Sequence, residues 1–225
     1  MTVDGLAPVF VTGGTGYIGR PLIEALLARG RQVLALVRPG SEPRLPPGAA
    51  PVVGDALAAA SFAAAIPRGA VVVQLVGTPH PAPSKAAEFL RVDLGSARAT
   101  AEAARASGAG HLVYVSVAHP APVMHAYVAA REAGEGAVRA SGIPATIVRP
   151  WYVLGPGHRW PYLLMPMYVV MRAVPATREG AIRLGLVTRR AMVAALVAAV
   201  DGPPPDGVRV LGVPEIRAAG RGAWS

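Results

Sequence analysis

A chain of 225 residues has room for one domain, or for one domain with a small appendage. Hydrophobic residues make up 52% of it and charged residues only 16%, which favours a sizeable core and excludes extensive disorder. The net charge of +9 comes from 21 arginines and one lysine that are spread along the whole chain. Because no basic run is interleaved with aromatic residues, we interpret this charge as a solvated surface and predict no nucleic-acid partner.

The chain has no cysteine, which excludes disulfides and thiolate metal sites, and no set of histidines and carboxylates has metal-ligand spacing. The beginning of the sequence lacks the basic and apolar regions of a signal peptide. The most apolar late stretch, Tyr162 to Pro175, is interrupted by Pro166 and Arg172 and is shorter than the roughly 20 residues of a membrane span. We therefore expect a cytoplasmic protein without a metal and without a membrane partner.

The first predicted strand, Val9–Val11, leads into a glycine-rich turn and a helical pattern over Tyr17–Arg29. Gly13, Gly16 and Gly19 have the spacing of a dinucleotide-binding turn. In that turn the first glycine allows the tight bend, the second lets the backbone approach a pyrophosphate, and the third allows close packing of helix and strand. The phosphates would lie on the free N–H groups at the start of the helix. The predicted cofactor contacts are Thr12, Gly13, Thr15, Gly16, Tyr17, Ile18 and Gly19.

The second predicted strand, Val33–Val37, ends at Arg38. An acid at this place accepts hydrogen bonds from the ribose hydroxyls of NAD, whereas an arginine can hold the 2′-phosphate of NADP with paired N–H bonds. Arg38 therefore favours NADP(H) over NAD(H). The alternative is a solvated arginine at the end of a strand.

Two further strand ends are predicted to face the cofactor. The third strand, Val52–Val53, is followed by Asp55, which can either accept a bond from the adenine amino group or cap the helical stretch predicted at residues 56–66. The fourth strand, Val71–Val76, leads into Gly77 and Thr78. We expect the backbone at Val76, Gly77 and Thr78 to pass the riboses of the cofactor.

The order of strands and helices predicts the fold. Further apolar runs at residues 112–115 and 146–148 alternate with helical stretches at 85–107 and 124–141. Continuous valine and leucine runs are typical of strands buried on both faces, and their alternation with helices indicates a parallel sheet. We predict an α/β fold with a Rossmann-like, doubly wound parallel sheet, in which residues 1–150 form the dinucleotide-binding core.

The character of the sequence changes after Pro150. Residues 151–161 are rich in glycine, proline and aromatic residues, and apolar helices are predicted near 162–173 and 189–200. A last strand is predicted at 208–213, followed by a frayed tail at 217–225. Residues 151–225 are therefore expected to form a small helical lid and a final strand within the same compact unit.

Five motifs carry a resemblance to a known family. They are Thr12-Gly13-Gly14-Thr15-Gly16-Tyr17-Ile18-Gly19, Val53-Gly54-Asp55, Tyr114-Val115-Ser116, Arg149-Pro150 and Gly155-Pro156-Gly157. Together they resemble the atypical and extended short-chain dehydrogenase/reductase superfamily, in particular its NAD(P)H-binding, epimerase-like and NmrA-like group. The resemblance covers nearly the whole chain but does not specify a substrate.

The resemblance implies a catalytic set. The family has a serine at the end of the fifth strand and a Tyr-x-x-x-Lys motif on the next helix, and this chain has Ser116, Tyr127 and Arg131 at those positions. The family roles are a substrate-orienting serine, a tyrosine that acts as general acid or base, and a lysine that holds the nicotinamide ribose. A spacing of four places Tyr127 and Arg131 on one helix face. Arginine for lysine is not a conservative change at such a site, and an ordinary surface pair is the alternative.

Other candidate proton carriers are His119, His125 and His158. His119 follows Ser116 in the next loop, and His125 is expected to face away from Tyr127. His158 lies in the lid loop beside Trp160, where an imidazole and an indole would line a substrate pocket. The alternative for a single histidine in a loop is a structural or solvated side chain.

The leading hypothesis is an NADP(H)-binding oxidoreductase of the atypical short-chain type that acts on a small, uncharged carbonyl or hydroxyl compound. The alternative is a protein of the NmrA-like type that senses NADP(H), or serves as a scaffold, without turnover. A third hypothesis is epimerase or isomerase chemistry, in which the hydride returns to the same substrate. The sequence leaves the substrate and the oligomeric state open.

Overall fold

The computed structural model describes residues 5–156 and 165–222. Its main sheet consists of seven parallel strands: β1 (Val9–Thr12), β2 (Val33–Val37), β3 (Ala50–Val53), β4 (Val71–Gln74), β5 (His111–Val115), β6 (Ala145–Val148) and β9 (Val208–Leu211). Their order across the sheet is β3-β2-β1-β4-β5-β6-β9. Two short strands, β7 (Tyr152–Leu154) and β8 (Leu186–Thr188), form a separate parallel pair.

The α-helices of the described residues are α1 (Gly19–Leu27), α2 (Ala86–Glu88), α3 (Gly95–Ser107), α4 (His125–Ala140), α5 (Met165–Ala173), α6 (Pro175–Arg183), α7 (Arg189–Asp201) and α8 (Val213–Gly222). A π-helical segment, Phe89–Leu94, joins α2 to α3. Four single-turn 3₁₀ helices lie at Glu42–Arg44, Ala59–Ser61, Ala63–Ala65 and Pro83–Lys85. Within the described residues, no helix has both the length and the apolar composition that crossing a membrane requires.

Helices cover both faces of the sheet, so the predicted doubly wound fold is confirmed. Successive side chains of a strand point to opposite faces. Val9 and Val11 of β1 therefore pack with Leu22 of α1 and Leu196 of α7. Phe10, between them, packs in the opposite core cluster, which includes residues of α3 and α4. Strands with apolar residues on both faces bury their whole length, which explains why the sequence shows continuous apolar runs.

The strand order reverses between β1 and β4, whose last residues, Thr12 and Gln74, are paired across the sheet. In doubly wound sheets, ligands bind in the crevice outside the carboxyl ends of the strands at such a reversal. The glycine-rich turn leaves β1 at this crevice, and the turn after β4 forms its other side.

Two local predictions are wrong. Residues 56–66 form two 3₁₀ turns rather than a helix. The Ser61 hydroxyl bonds to the carbonyl of Ala58, 2.8 Å away, and accepts from the Asp55 N–H at 2.9 Å, and such local side-chain bonds compete with helix formation. The predicted frayed tail is a helix over most of its length, because α8 buries Ile216 completely against the core.

The lid contains more regular structure than the sequence predicted. β7 lies inside the segment predicted as a loop, and α6 lies between the two predicted helices. The Tyr168 hydroxyl on α5 donates to the carbonyl of Leu184 at 2.6 Å. Nε of Arg183 on α6 donates to the carbonyl of Pro120 at 3.3 Å, so the lid contacts the loop that follows β5.

Candidate active site

The glycine-rich turn has the geometry that a pyrophosphate requires. Gly13 has φ +78°, and the N–H of Gly16 donates to its carbonyl at 3.0 Å, which closes the turn. Gly19 has no room for a side chain, because a Cβ there would collide with the carbonyl of Gly13. Gly16 is exposed, and a Cβ on it would approach only that same carbonyl, at 3.1 Å. The space above Gly16 is therefore open to a ligand, and the residues present fit a dinucleotide.

Arg38 and Asp55 both lie on the exposed rim of the crevice. Arg38 directly follows β2, and no ion pair of its guanidinium is found within the described part of the chain. Asp55 follows β3, and its Oδ1 accepts a bond from the N–H of Leu57 at 2.9 Å. Of the two hypotheses for Asp55, this contact supports the capping of the following turn, while adenine binding stays a prediction.

The turn after β4 is fixed by a buried acid. Asp93, on the π-helical segment, is fully buried, and its Oδ2 accepts from the N–H of Thr78 at 3.1 Å and from the Thr78 hydroxyl at 2.6 Å. The side chain of Thr78 is therefore engaged with the protein, and the contact of the Val76, Gly77 and Thr78 backbone with the cofactor riboses stays a prediction. π-helical segments are rare and occur frequently at functional sites.

Arg131 is buried behind this turn. Its Nη2 lies 2.8 Å from Oδ1 of Asp93, and its Nη1 donates to the carbonyl of Val115 at 2.8 Å. A Cβ on Gly77 would collide with the guanidinium, so only glycine fits at that position. Burial disfavours the charged form, but the neighbouring Tyr127, Tyr114 and Asp93 outweigh it and raise the pKa of Arg131, which therefore stays charged.

Tyr127 lines a cavity of about 640 Å³ at the carboxyl edge of the sheet, here called the aromatic cavity. Its ring packs edge-on against Phe89, with the centroids 5.0 Å apart, and the Arg131 guanidinium lies 5.3 Å from the ring centroid. The described residues that line the cavity are Tyr17, Pro79, His80, Pro81, Val117, Met124, Tyr127, Trp151, Tyr152, Val153 and Pro156. The cavity thus brings together the glycine-rich turn, the β4 turn, the start of α4 and the lid.

The side chain of Ser116 is buried and bonded to α4. The residue follows β5, is 3% exposed, and its hydroxyl donates to Oε1 of Glu135 on α4 at 2.7 Å. Arg149 donates to both oxygens of the same carboxylate, from Nε to Oε1 at 2.8 Å and from Nη2 to Oε2. Burial disfavours the charged form of Glu135, but the hydrogen bonds from Arg149 and Ser116 outweigh it and lower its pKa below the ordinary value. Ser116 is not among the described residues that line the aromatic cavity.

The three histidines have different surroundings. His119 lies between two glutamates, with Nδ1 2.8 Å from Glu132 and Nε2 3.2 Å from Glu135. His125 is the first residue of α4 and is exposed. His158 and Trp160 lie outside the described residues, so their predicted place in the substrate pocket stays a prediction. Among the residues that the structure describes, no three His, Asp or Glu side chains are grouped so that they could hold a metal ion.

Comparison with known proteins decides the family. The family model described as NAD(P)H-binding matches residues 13–164, which is more than half of the chain. The chain belongs to this NAD(P)H-binding family. Ceramide reductase of Caulobacter vibrioides is 36% identical over 159 residues, which cover 70% of this chain and 50% of that protein. Divinyl chlorophyllide a 8-vinyl-reductase of Oryza sativa is 38% identical over 160 residues, 63% of this chain and 39% of that protein. The chain thus spans half or less of the length of these curated relatives.

Solved structures of this NAD(P)H-binding fold are similar over most of the chain. The Bordetella bronchiseptica enzyme WbmH, in complex with NAD⁺, has a TM-score of 0.68 at 20% identity and covers 92% of this chain and 75% of its own. A UDP-galactose 4-epimerase has a TM-score of 0.67 at 22% identity, over 91% and 77%. Identities this low show the fold alone. The predicted Rossmann-like fold and the resemblance to extended short-chain dehydrogenases/reductases are confirmed.

The sequence did not reveal two residues of this family member's site. Asp93 and Glu135 are buried acids, and each bonds to a residue of the predicted catalytic set. A signal for Glu135 exists, because Tyr127, Arg131 and Glu135 follow one another at intervals of four along one face of α4. Asp93 has no comparable signal, since only the folded chain brings the π-helical segment to Arg131.

Proposed function

We propose that this protein is an NADP(H)-dependent oxidoreductase that acts on a small, uncharged carbonyl or hydroxyl compound. The observation that carries the proposal is that Tyr127 and Tyr17 line one cavity. Tyr17 belongs to the glycine-rich turn, and Tyr127 supplies an ionisable hydroxyl on α4. A proton donor and the cofactor turn therefore share a pocket of the size that small ligands occupy, about 300–1,000 Å³.

Tyr127 would act as the general acid. NADPH, when bound, would supply the hydride that reduces the substrate carbonyl. The Tyr127 hydroxyl donates its proton to the carbonyl oxygen, on which negative charge develops. Phe89 on the ring edge and Arg131 on the ring face hold the phenol in place. Arg131 is thus a positioning residue in this proposal, since its guanidinium forms an ion pair with Asp93 and donates to the Val115 carbonyl.

The lining of the aromatic cavity supports an uncharged substrate. Aromatic, aliphatic and proline side chains predominate, and His80 is the one ionisable group besides tyrosines among the described lining residues. A charged substrate that moves from water into this cavity loses its hydration and finds no opposite charge in the described lining, which is unfavourable. Two relatives that are named as reductases support reduction as the reaction.

The NADP(H) preference is supported by Arg38. Its side chain is exposed at the end of β2, on the rim of the crevice, with no acid in an ion pair with it among the described residues. A guanidinium in this position can take a 2′-phosphate with two parallel hydrogen bonds. An acid in its place would repel that phosphate.

A second candidate function, the sensing of NADP(H) without turnover, is favoured by one observation. Ser116 and Arg131, at two of the three positions of the catalytic set, are both bonded to buried acids and lie outside the lining of the aromatic cavity. If the reaction requires these side chains at the substrate, the chain retains cofactor binding and lacks catalysis.

Turnover distinguishes the two candidates. The experiment follows NADPH oxidation by absorbance over a panel of uncharged aldehydes, ketones and quinones, with cofactor binding measured separately by calorimetry. The reductase proposal predicts oxidation with at least one compound, and that it depends on Tyr127. Binding of NADPH without oxidation of it by any compound would favour the sensor. Inversion of a substrate stereocentre without net NADPH consumption would favour the epimerase hypothesis.

A further inference from the structure

Two residues that line the aromatic cavity have a backbone conformation that side chains disfavour. His80 has φ +49° and Met124 has φ +60°, and all other described residues with a positive φ are glycines. Both residues line the aromatic cavity, His80 from the loop after β4 and Met124 from the position just before α4. Because strained residues cluster at active sites and ligand clamps, their shared location points to a functional role.

The conformation of His80 is opposed by its neighbour in the sequence. Pro81 follows it, and a residue before proline is restricted to extended conformations with φ of about −120°. The surrounding loop nevertheless holds His80 in place. The Thr78 side chain is bonded to the buried acid of the π-helical segment, and Nζ of Lys85 donates to the Pro79 carbonyl at 2.8 Å.

Met124 is an unusual residue for its conformation. Asparagine and aspartate tolerate a left-handed backbone because their short polar groups bond locally, and methionine has no such group. The Met124 carbonyl accepts from the N–H of Val128 at 3.0 Å, which fixes the residue to the first turn of α4. The preceding loop is held by the Ala118 N–H, which donates to the Pro150 carbonyl at 2.8 Å. Strain of this kind persists only where the surrounding structure imposes it.

The two residues belong to loops that follow neighbouring strands. β4 and β5 are paired in the sheet, and His80 and Met124 lie in the loops that follow them at its carboxyl edge. Tyr127 follows Met124 by three residues and lines the same cavity. The imidazole and the thioether therefore limit the space in the cavity that contains the proposed proton donor.

We propose that His80 and Met124 are specificity-determining residues, which set the size of the uncharged compound that the aromatic cavity accepts. The backbone strain is retained because a glycine at either position would leave the space of the side chain empty. Local stability is thus reduced in favour of the shape of the cavity. This inference rests on the proposed function only in taking the aromatic cavity as the substrate site.

Calorimetric titration of the whole chain with two uncharged ketones, acetophenone and the larger acetonaphthone, tests the size selection. NADP⁺ is present throughout, so that no hydride is available and binding is measured without turnover. His80→Ala and Met124→Ala should each shift the ratio of the two dissociation constants by about tenfold in favour of acetonaphthone, which fills the space that the side chain left. The matched control is Val123→Ala, an exposed position outside the described lining of the cavity, and it should leave the ratio unchanged.

Thermal unfolding tests the strain without any ligand. At positions 80 and 124, the glycine variant should melt about 2–4 °C above the alanine variant, because only glycine adopts a positive φ without a steric clash. Ala126→Gly is the matched control on α4, where the residue is exposed and helical. This variant should melt below the unmodified chain, since glycine is unfavourable within a helix.

Three results would overturn the assignment. They are an unchanged ratio of dissociation constants in the two alanine variants, no binding of either ketone by any of the proteins, and alanine variants that melt at or above the temperature of the glycine variants. Failure of the proposed function has a different signature. If no compound is reduced by NADPH but the ratio still shifts, the oxidoreductase proposal is contradicted and the size selection by His80 and Met124 is supported.

Discussion

The buried carboxylate of Asp93 lies 2.8 Å from the guanidinium of Arg131 and accepts both hydrogen bonds of Thr78 through its other oxygen. Through these contacts one acid joins the turn after β4 to α4, and α4 carries Tyr127. Breaking a buried ion pair leaves the remaining charge without a partner, which costs about 3–5 kcal/mol.

This pair gives the first prediction. Asp93→Asn leaves the charge of Arg131 buried and unpaired, and should lower the free energy of unfolding by about 3–5 kcal/mol. Arg131→Gln should also destabilise, since it leaves the buried Asp93 carboxylate alone. Each single change already breaks the pair. The double variant Asp93→Asn/Arg131→Gln should therefore lose clearly less free energy of unfolding than the sum of the losses of the two single variants. Urea unfolding of the four proteins measures the cycle, and additive losses would show that the two residues are not coupled.

The second prediction concerns the cofactor. Arg38→Asp should weaken NADP⁺ binding by about 1.5–3 kcal/mol, the contribution of a hydrogen bond to a charged group, and leave NAD⁺ binding nearly unchanged. The control is Arg105→Asp, which makes the same change of charge at an exposed position on α3. Calorimetric titration with both nucleotides decides the matter. Tighter binding of NAD⁺ than of NADP⁺ by the unmodified protein would contradict the assignment.

The third prediction separates cofactor binding from folding at the glycine-rich turn. A side chain at Gly16 would meet only the Gly13 carbonyl in the protein, yet it would fill the space above the turn. Gly16→Val should therefore weaken NADP(H) binding by at least about 100-fold, roughly 2.7 kcal/mol, with little change in the melting temperature. Gly136→Val is the matched control, because a side chain there enters open space. Normal NADP(H) binding by Gly16→Val would show that the phosphates lie elsewhere.

The glycine-rich turn and the strands could be predicted because their signals are local. A run such as Val71–Val73 is apolar on both faces, and the glycine spacing reflects contacts within one turn. Placing Tyr127 near the cofactor turn also needed only the family motif. The 3₁₀ turns at residues 56–66 were not predictable from helix propensity, since the bonds of Ser61 to Asp55 and Ala58 decide the local conformation.

The partners of the catalytic set could not be predicted, because they are distant in sequence. The spacing of Tyr127 and Arg131 indicates one helix face, but not which buried group meets the guanidinium. Likewise, the motif places Ser116 at the end of β5 and does not show that its hydroxyl donates to Glu135, or that Arg149 donates to the same carboxylate. These contacts depend on how the strands and α4 pack.

The fourth prediction follows from the lowered pKa of Glu135. In the unfolded chain a glutamate takes up a proton near its ordinary pKa of about 4.3, whereas the folded carboxylate resists protonation. The stabilisation that comes from the ionised, hydrogen-bonded Glu135 is therefore present above about pH 4.3. It is lost as the pH falls further, through the pKa of Glu135 in the folded protein. At neutral pH, Glu135→Gln should cost about 1.5–3 kcal/mol, because it weakens hydrogen bonds to a charged group.

Urea unfolding at neutral and acidic pH measures this dependence. The unmodified protein should lose more stability on acidification than Glu135→Gln does. The control is Glu102→Gln, which replaces an exposed glutamate on α3. Equal acid sensitivity of Glu135→Gln and the unmodified protein would mean that the cluster of Ser116, Glu135 and Arg149 does not stabilise the ionised acid.

The most direct test of the central claim, that Tyr127 donates the proton in the aromatic cavity, is the turnover number of Tyr127→Phe beside that of Tyr152→Phe. Both tyrosines line the cavity, but only Tyr127 lies on α4 against Arg131. With a reducible substrate, Tyr127→Phe should lower kcat by at least about 100-fold, the usual share of general acid catalysis, while NADPH affinity is retained. Tyr152→Phe should change kcat by less than about tenfold, since it removes no proton donor from the reaction. Equal loss in the two variants, or undiminished turnover in Tyr127→Phe, would contradict the account.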